Sequence, residues 1–185
     1  MQNWRIRKAL PYIGKDHVVL DIGSADGALF KHSEVVRRVA GGVGIDPDAI
    51  PATTDKFRMV RGSFPDDLPA DQQFGTITLL AVLEHIPTNQ QPSFARSCFD
   101  RTLPGGRLVI TVPGPMVDRI IDVLKTVRVI DGMSVEQHYG FDPSRTIPLF
   151  EDAGYTLAAA EKFQLGVNHL YVFAKGSGTP ARRNS

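Results

Sequence analysis

The residues Val18-Val19-Leu20-Asp21-Ile22-Gly23-Ser24-Ala25-Asp26-Gly27-Ala28-Leu29-Phe30 constrain the fold more than any other stretch. They open as a short apolar run rich in β-branched side chains, the pattern of a parallel strand buried on both faces. Two glycines then bend the chain, and Ala28-Leu29-Phe30 begins an apolar pattern suited to a helix. A strand-to-helix turn this tight leaves backbone N–H groups facing a cleft. It also lets a ligand reach main chain where a Cβ would otherwise stand. In an open α/β sheet, that is where nucleotide-like ligands bind.

Gly42-Val43-Gly44-Ile45-Asp46 reads as the next strand, with a carboxylate at its end. Asp46 follows the turn by about twenty residues, the spacing of a carboxylate that accepts hydrogen bonds from ribose hydroxyls. Turn and acid together imply a ligand that contains a ribose, and adenosine is the expected form.

Length and composition narrow the class. The 185 residues, 42% of them hydrophobic, suit one domain with a real core. Lys and Arg number 21 against 20 Asp and Glu, so no net field draws the chain to nucleic acid or to an anionic membrane. One cysteine, Cys98, excludes an internal disulfide and a Cys-rich metal site. No apolar run approaches the roughly 20 residues of a membrane span. The start Met1-Gln2-Asn3-Trp4-Arg5 lacks the apolar core of a signal peptide. A soluble cytoplasmic protein without a metal is expected, as a monomer or homodimer.

Along the chain, residues 4–13 read as an amphipathic helix with Trp4, Ile6, Leu10 and Ile13 apolar and Arg5, Arg7 and Lys8 facing out. It either covers the sheet or helps form a lid over the substrate. A helix over 28–39 follows the first strand and is stopped by Gly41-Gly42. Residues 50–54 read as one or two helical turns. Phe57-Arg58-Met59-Val60-Arg61 is a third strand, with Gly62-Ser63-Phe64-Pro65 at its carboxyl end. Residues 74–80 form a fourth strand, and residues 81–86 a helical turn broken by Pro87. A helix over 93–103, a tight turn at Pro104-Gly105-Gly106 and a fifth strand over 107–113 come next. Residues 116–130 carry apolar side chains at helical spacing, and 132–140 read as loop. Asp142-Pro143 is a helix start. Residues 155–164 and 167–175 are two strands whose short link makes them antiparallel. Residues 176–185 read as a disordered tail.

This layout, a doubly wound and mostly parallel α/β sheet of seven strands closed by an antiparallel hairpin, resembles the class I S-adenosylmethionine-dependent methyltransferases. The resemblance implies the strand order 3-2-1-4-5-7-6. The stretch from Val18 to Gly27 resembles that family's first motif, and Gly44-Ile45-Asp46 its ribose-binding strand end. Residues 74–86, with Val82-Leu83-Glu84-His85, look like its fourth-strand segment. Pro104-Gly105-Gly106-Arg107-Leu108 is similar to its turn before strand 5. His138-Tyr139-Gly140-Phe141 and Leu149-Phe150-Glu151-Asp152-Ala153-Gly154-Tyr155 are similar to the end of its small-molecule branch, the methyltransferase type 11-like proteins. The likeness spans residues 15–175 of a single domain over 1–175, with 114–141 as lid or substrate insertion. Three positions depart from the family pattern: Ala25 replaces the middle glycine, Ser63 an acid that meets adenine, and Gly75 an aspartate.

The resemblance implies S-adenosylmethionine as cofactor and assigns roles. Asp21 would hold the turn and reach the methionine amine through water, against turn capping alone. Gly23, Ser24, Ala25 and Gly27 would carry the turn to the cofactor. Asp46 would bind the ribose, and Pro47 would line the adenine pocket. Ser63 with Phe64 would meet the adenine edge, and the backbone at Leu79 and Leu80 would line the methionine end.

A methyl acceptor that must lose a proton needs a base, and histidine titrates in the right range. His138 is the first candidate and His85 the second; the alternative for each is packing or anchoring. His17, His32 and His169 read as surface or strand residues. No Asn-Pro-Pro-Tyr or Asp-Pro-Pro-Tyr follows the fourth strand, so a small organic acceptor is expected rather than a nucleobase. Two other readings stay open: a non-catalytic cofactor-binding or partner subunit of the same fold, and, more remotely, a nicotinamide-dependent reductase.

Overall fold

A computed structural model describes residues 2–114, 142–164 and 166–178. The strands are β1 (Val18–Ile22), β2 (Gly41–Asp46), β3 (Ala52–Thr53), β4 (Phe57–Arg61), β5 (Phe74–Leu80), β6 (Thr102–Pro113), β7 (Thr156–Phe163) and β8 (Asn168–Ala174). The helices are α1 (Gln2–Ala9), α2 (Ala28–Lys31), α3 (Ser33–Arg38), α4 (Gln91–Arg101) and α5 (Thr146–Asp152). One sheet takes all eight strands in the order β3-β4-β2-β1-β5-β6-β8-β7. With β3 set aside, this is the order that the resemblance implies. The strands β4, β2, β1, β5 and β6 run parallel, and β8 turns antiparallel to both β6 and β7.

Alternation along the strands splits the core into two layers. Leu20, Ile22, Val43, Ile45, Ile77, Leu79, Leu108 and Ile110 face the side covered by Ala95 and Cys98 of α4 and Phe150 of α5. Val19 and Val109 face the other side, where Ile6 and Ala9 of α1 and Leu29 of α2 cover them. Because β1 is roofed on both faces, its sequence is apolar almost throughout, and its one charge, Asp21, needs a specific reason to be there.

Several expectations change. Residues 50–54 form no helical turn. The connection from β2 to β4 is too short for a covering helix, and Ala52–Thr53 instead pairs antiparallel along the outer edge of β4. The helix expected over 28–39 breaks at His32, whose backbone is extended, into α2 and α3. Gly41 and Gly42, expected to stop that helix, lie inside β2. A Cβ on Gly42 would come within 2.5 Å of the Phe30 ring, so the glycine there serves helix-to-sheet packing. Pro104-Gly105-Gly106 falls within the span of β6 as an irregularity in the β5–β6 register, with Gly105 at φ +75°.

Trp4, expected on the apolar face of the first helix, is 58% exposed, and Arg5, expected to face out, is half-buried; Ile6 and Ala9 are the buried residues of α1. The Asp142 start holds: its carboxylate accepts the Ser144 N–H at 2.9 Å. The lid or insertion over 114–141, the helix over 116–130, the loop over 132–140 and His138-Tyr139-Gly140-Phe141 lie outside the described residues, save Gly114. So does the tail beyond Gly178.

Candidate functional site

The carboxyl ends of β1, β2, β4 and β5 meet at one rim of the sheet. Gly23 leaves β1 at φ +72°, a conformation open to glycine and strained for other residues. A Cβ there would lie 2.4 Å from Cγ2 of Val82, just past β5. The turn therefore packs directly onto the end of β5. The N–H groups of Gly23 and Ser24 donate to the Ile45 carbonyl at 2.9 and 3.3 Å, which ties the turn to the last residues of β2. Gly27 closes it at φ +75°, donating to the Ser24 carbonyl at 2.7 Å, and α2 starts from there.

Asp46 joins the turn chemically. Its Oδ2 accepts the Ala25 N–H at 2.9 Å, and its Oδ1 accepts the Asp48 N–H at 2.8 Å. Each carboxylate oxygen has two acceptor sites, so the group retains capacity for further donors. Ala25 stands at φ +44°, exposed, in the left-handed region that the family's glycine would occupy without strain. Its side chain lines a cavity of about 590 Å³ on the α2 side of the turn, with Asp48, Phe57 and Met59 among the other lining residues.

Asp21 is 4% exposed, two residues before the turn begins at Gly23. Its Oδ1 accepts the Thr78 hydroxyl at 2.7 Å, and Thr78 is its register partner on β5. Burial pushes the Asp21 carboxyl up to about 7; the Thr78 hydroxyl opposes this and the nearby Asp46 charge adds to it. Near neutrality the group is therefore split between acid and carboxylate, and a cation placed against it would favour the carboxylate.

The remaining expected residues fall as follows. Ser24 is 3% exposed, and its Oγ has no hydrogen-bond partner among the described residues; a Cβ on Gly44 would sit 2.8 Å from it. Pro47 is exposed beside Asp46. Ser63 is exposed at the end of β4, and its N–H donates to Asp67 Oδ2 at 2.8 Å. The Gly62 N–H donates to the Asp46 carbonyl at 3.1 Å, which links this loop to the same rim. Phe64 is half-buried and meets Phe94 edge-on at 5.4 Å. The Leu79 side chain is wholly in the core, so only its backbone is available at the rim; Leu80 is half-buried on the opposite face. His85 is exposed in the single 3-10 turn Leu83–His85 just past β5. His138 lies outside the described residues.

The structure adds residues that the sequence reading missed. Thr78 holds Asp21, Val82 backs Gly23, and Asp67 fastens the Ser63 loop. Ala81 directly follows β5 at φ +64°, with its N–H donating to the Thr111 carbonyl at 2.9 Å. No pattern in the sequence marks a non-glycine residue for that conformation. Among the described residues, no group of three or more His, Cys, Asp or Glu side chains is placed to hold a metal ion, and no helix is long and apolar enough to cross a membrane.

Residues 4–160 match the family model described as a methyltransferase domain. No curated protein matches the chain. Among solved structures, the chain is similar to one in the complex formed with the Haloferax volcanii Trm112 methyltransferase activator. The identity is 15%, with 95% of this chain and 91% of that one covered and a TM-score of 0.71. It is also similar to magnesium protoporphyrin IX methyltransferase from Synechocystis PCC 6803, solved with bound SAH. There the identity is 14%, the coverage 95% and 84%, and the TM-score 0.68. The N-methyltransferase NodS from Bradyrhizobium japonicum WM9 matches at 14% identity over 94% and 93%, with a TM-score of 0.66. At these identities the structural likeness speaks for the fold.

Proposed function

Since this chain belongs to the methyltransferase-domain family, we propose that it moves a methyl group from S-adenosylmethionine to a small organic acceptor, with oxygen the favoured atom. The observation that carries the reading is the union of the glycine turn with Asp46. A tight glycine-flanked bend and a ribose-competent carboxylate are bonded to each other at 2.9 Å on one rim. A half-ionised carboxyl at Asp21, two residues before the turn, suits a cationic amine.

The donor's sulfonium supplies an activated methyl group, so transfer asks chiefly for alignment. Alignment and water exclusion are worth up to roughly 7–11 kcal/mol in the ideal case. This chain's part is then to hold the donor's two ends. Asp21 receives the amine, Asp46 the ribose, Pro47, Ser63 and Phe64 the adenine, and the backbone of Gly23 to Gly27 with that of Leu79 and Leu80 the methionine portion. For a hydroxyl acceptor, His138 takes the proton, with His85 the second candidate. The same reading has the protein work in the cytoplasm as a monomer or homodimer without nucleic acid.

Two measurements test it. Calorimetry with S-adenosylmethionine, its demethylated product and NAD should give binding for the first two alone; preference for NAD would return the reductase reading. Incubation of labelled cofactor with a metabolite extract should give a labelled small molecule. Cofactor binding with no labelled product would favour the non-catalytic subunit.

A further inference from the structure

A hollow lies behind the glycine turn. In a doubly wound sheet, a parallel crossover usually carries a helix that covers the strands it joins. The β1–β2 crossover supplies α2 and α3, but the β2–β4 crossover holds only the edge strand β3. The face of β4 beside α2 is therefore left without a roof, and Phe57 and Met59 stay half-buried there. The space that results is the cavity of about 590 Å³ beside Ala25. Small-molecule sites run from roughly 300 to 1,000 Å³. Its wall is Phe30, Phe57 and Met59, with Ile50 and Ala52 on the β3 side. The two rings stack with centroids 4.7 Å apart.

Met59 ties this hollow to the turn. A Cβ on Gly27 would lie 3.3 Å from the Met59 sulfur, and one on Gly44 would lie 2.7 Å from it. The thioether is thus packed against Gly27 of the turn and Gly44 of β2. The hollow is nevertheless separate from the place the donor would take. Phe64 packs in the layer under α4 and α5, whereas Phe30, Phe57 and Met59 belong to the layer under α1 and α2. Neither Pro47, Ser63 nor Phe64 lines the cavity. Strand β4 stands three places from β5, which carries Leu79 and Leu80 at its end, so an occupant is not placed to receive the methyl group.

The mouth is charged. Lys31 pairs with Asp26 at 3.5 Å. Asp48, exposed at the same mouth, gives its N–H to Asp46, and its carboxylate has no hydrogen bond or ion pair among the described residues. Arg61, at the end of β4, turns instead to the Ala49 carbonyl at 2.9 Å. Aromatic and thioether walls favour a flat ring. A carboxylate above them favours a cationic nitrogen on that ring and repels an anion.

We propose that this hollow is a second small-molecule site, separate from the donor's, that takes an aromatic amine. The ring lies against Met59 and the Phe30–Phe57 pair, and the nitrogen donates to Asp48. Because the amine touches Ala25 and Gly27, its binding and the donor's are coupled, each altering the other by the same factor.

The test is calorimetry on the full chain with three probes that share one ring: tryptamine, indole and indole-3-propionate. Tryptamine binds at millimolar concentration or below, more tightly than neutral indole, and the anion binds most weakly. Asp48→Asn weakens tryptamine at least fivefold and leaves indole within twofold. Ala52→Trp, which fills the hollow from the exposed edge strand, weakens both at least tenfold and leaves S-adenosylhomocysteine within threefold. With S-adenosylhomocysteine saturating, the tryptamine dissociation constant settles at a new fixed value. A constant that keeps rising with S-adenosylhomocysteine concentration puts the amine in the donor's site and overturns the proposal. Equal affinity for the three probes, no binding of tryptamine, or equal losses of tryptamine and indole in Asp48→Asn also overturns it. So does a wild-type dimer that Ala52→Trp splits, since a second copy then covers the hollow. A chain that binds tryptamine in the expected pattern but no S-adenosylhomocysteine removes the methyltransferase reading alone.

Discussion

The Asp46 carboxylate accepts the Ala25 N–H at 2.9 Å, so the acid expected to meet a ribose also holds the glycine turn in shape. The two parts of the site are one hydrogen-bonded unit, with the Asp48 N–H on the other oxygen.

This coupling makes Asp46→Asn a double lesion. The amide keeps one acceptor oxygen and turns an NH₂ group toward the other backbone donor. Each lost bond costs about 0.5–1.5 kcal/mol. Urea unfolding should show a loss in that range, and calorimetry should show S-adenosylhomocysteine binding at least about tenfold weaker. Unchanged affinity would separate Asp46 from the ribose.

Gly23→Ala combines two penalties. The left-handed backbone costs a side-chain-bearing residue roughly 1–2 kcal/mol, and the new methyl group falls 2.4 Å from Val82 Cγ2. The variant should lose roughly 2–4 kcal/mol of stability. Adding Val82→Ala should return the part due to overlap and leave the backbone part in place, as denaturant titration of the single and double variants would measure.

Ala25→Gly tests the opposite case. The methyl group at φ +44° is exposed and lines the cavity beside α2, so its removal creates no void in the core. Relief of backbone strain, roughly 1–2 kcal/mol, outweighs the entropy cost of glycine, roughly 0.5–1 kcal/mol. The thermal midpoint should hold or rise slightly, and cofactor affinity should be retained.

Asp21 sets a pH dependence. Its folded value of about 7 lies above the ordinary carboxyl range, so the folded chain holds a proton that the unfolded chain has released. Its contribution is fully present below about pH 4 and declines as pH rises toward 7, at about 1.4 kcal/mol per pH unit while only the folded state is protonated. Urea titrations of the ligand-free protein at pH 5, 6 and 7 should show this decline, and Asp21→Asn should flatten it. Donor affinity should run the other way, rising toward pH 8 as the carboxylate becomes available to the amine, and Asp21→Asn should abolish that rise.

The proton-transfer role is tested by kinetics. With a hydroxyl acceptor, His138→Ala should lower kcat by about 10²–10⁴-fold with donor affinity unchanged, and His85→Ala should have the smaller effect. Full turnover by His138→Ala would leave His85, or no base at all.

Local pattern determined the order of the elements, because strand and helix periodicity, glycine turns and the short link near Gly166 are written in neighbouring residues. Val18 to Gly27 and the spacing to Asp46 marked the ligand rim for the same reason. Tertiary packing alone decided the rest. Ala52–Thr53 became a short edge strand because β4 offered an unpaired edge and the connection had no length for a helix. Gly42 sits in mid-strand because the Phe30 ring needs its space. The hydrogen bonds of Asp46 to Ala25 and of Asp21 to Thr78 join residues far apart in the chain. Such contacts depend on which strands lie side by side and which way a helix crosses them, and no short stretch of sequence carries that information.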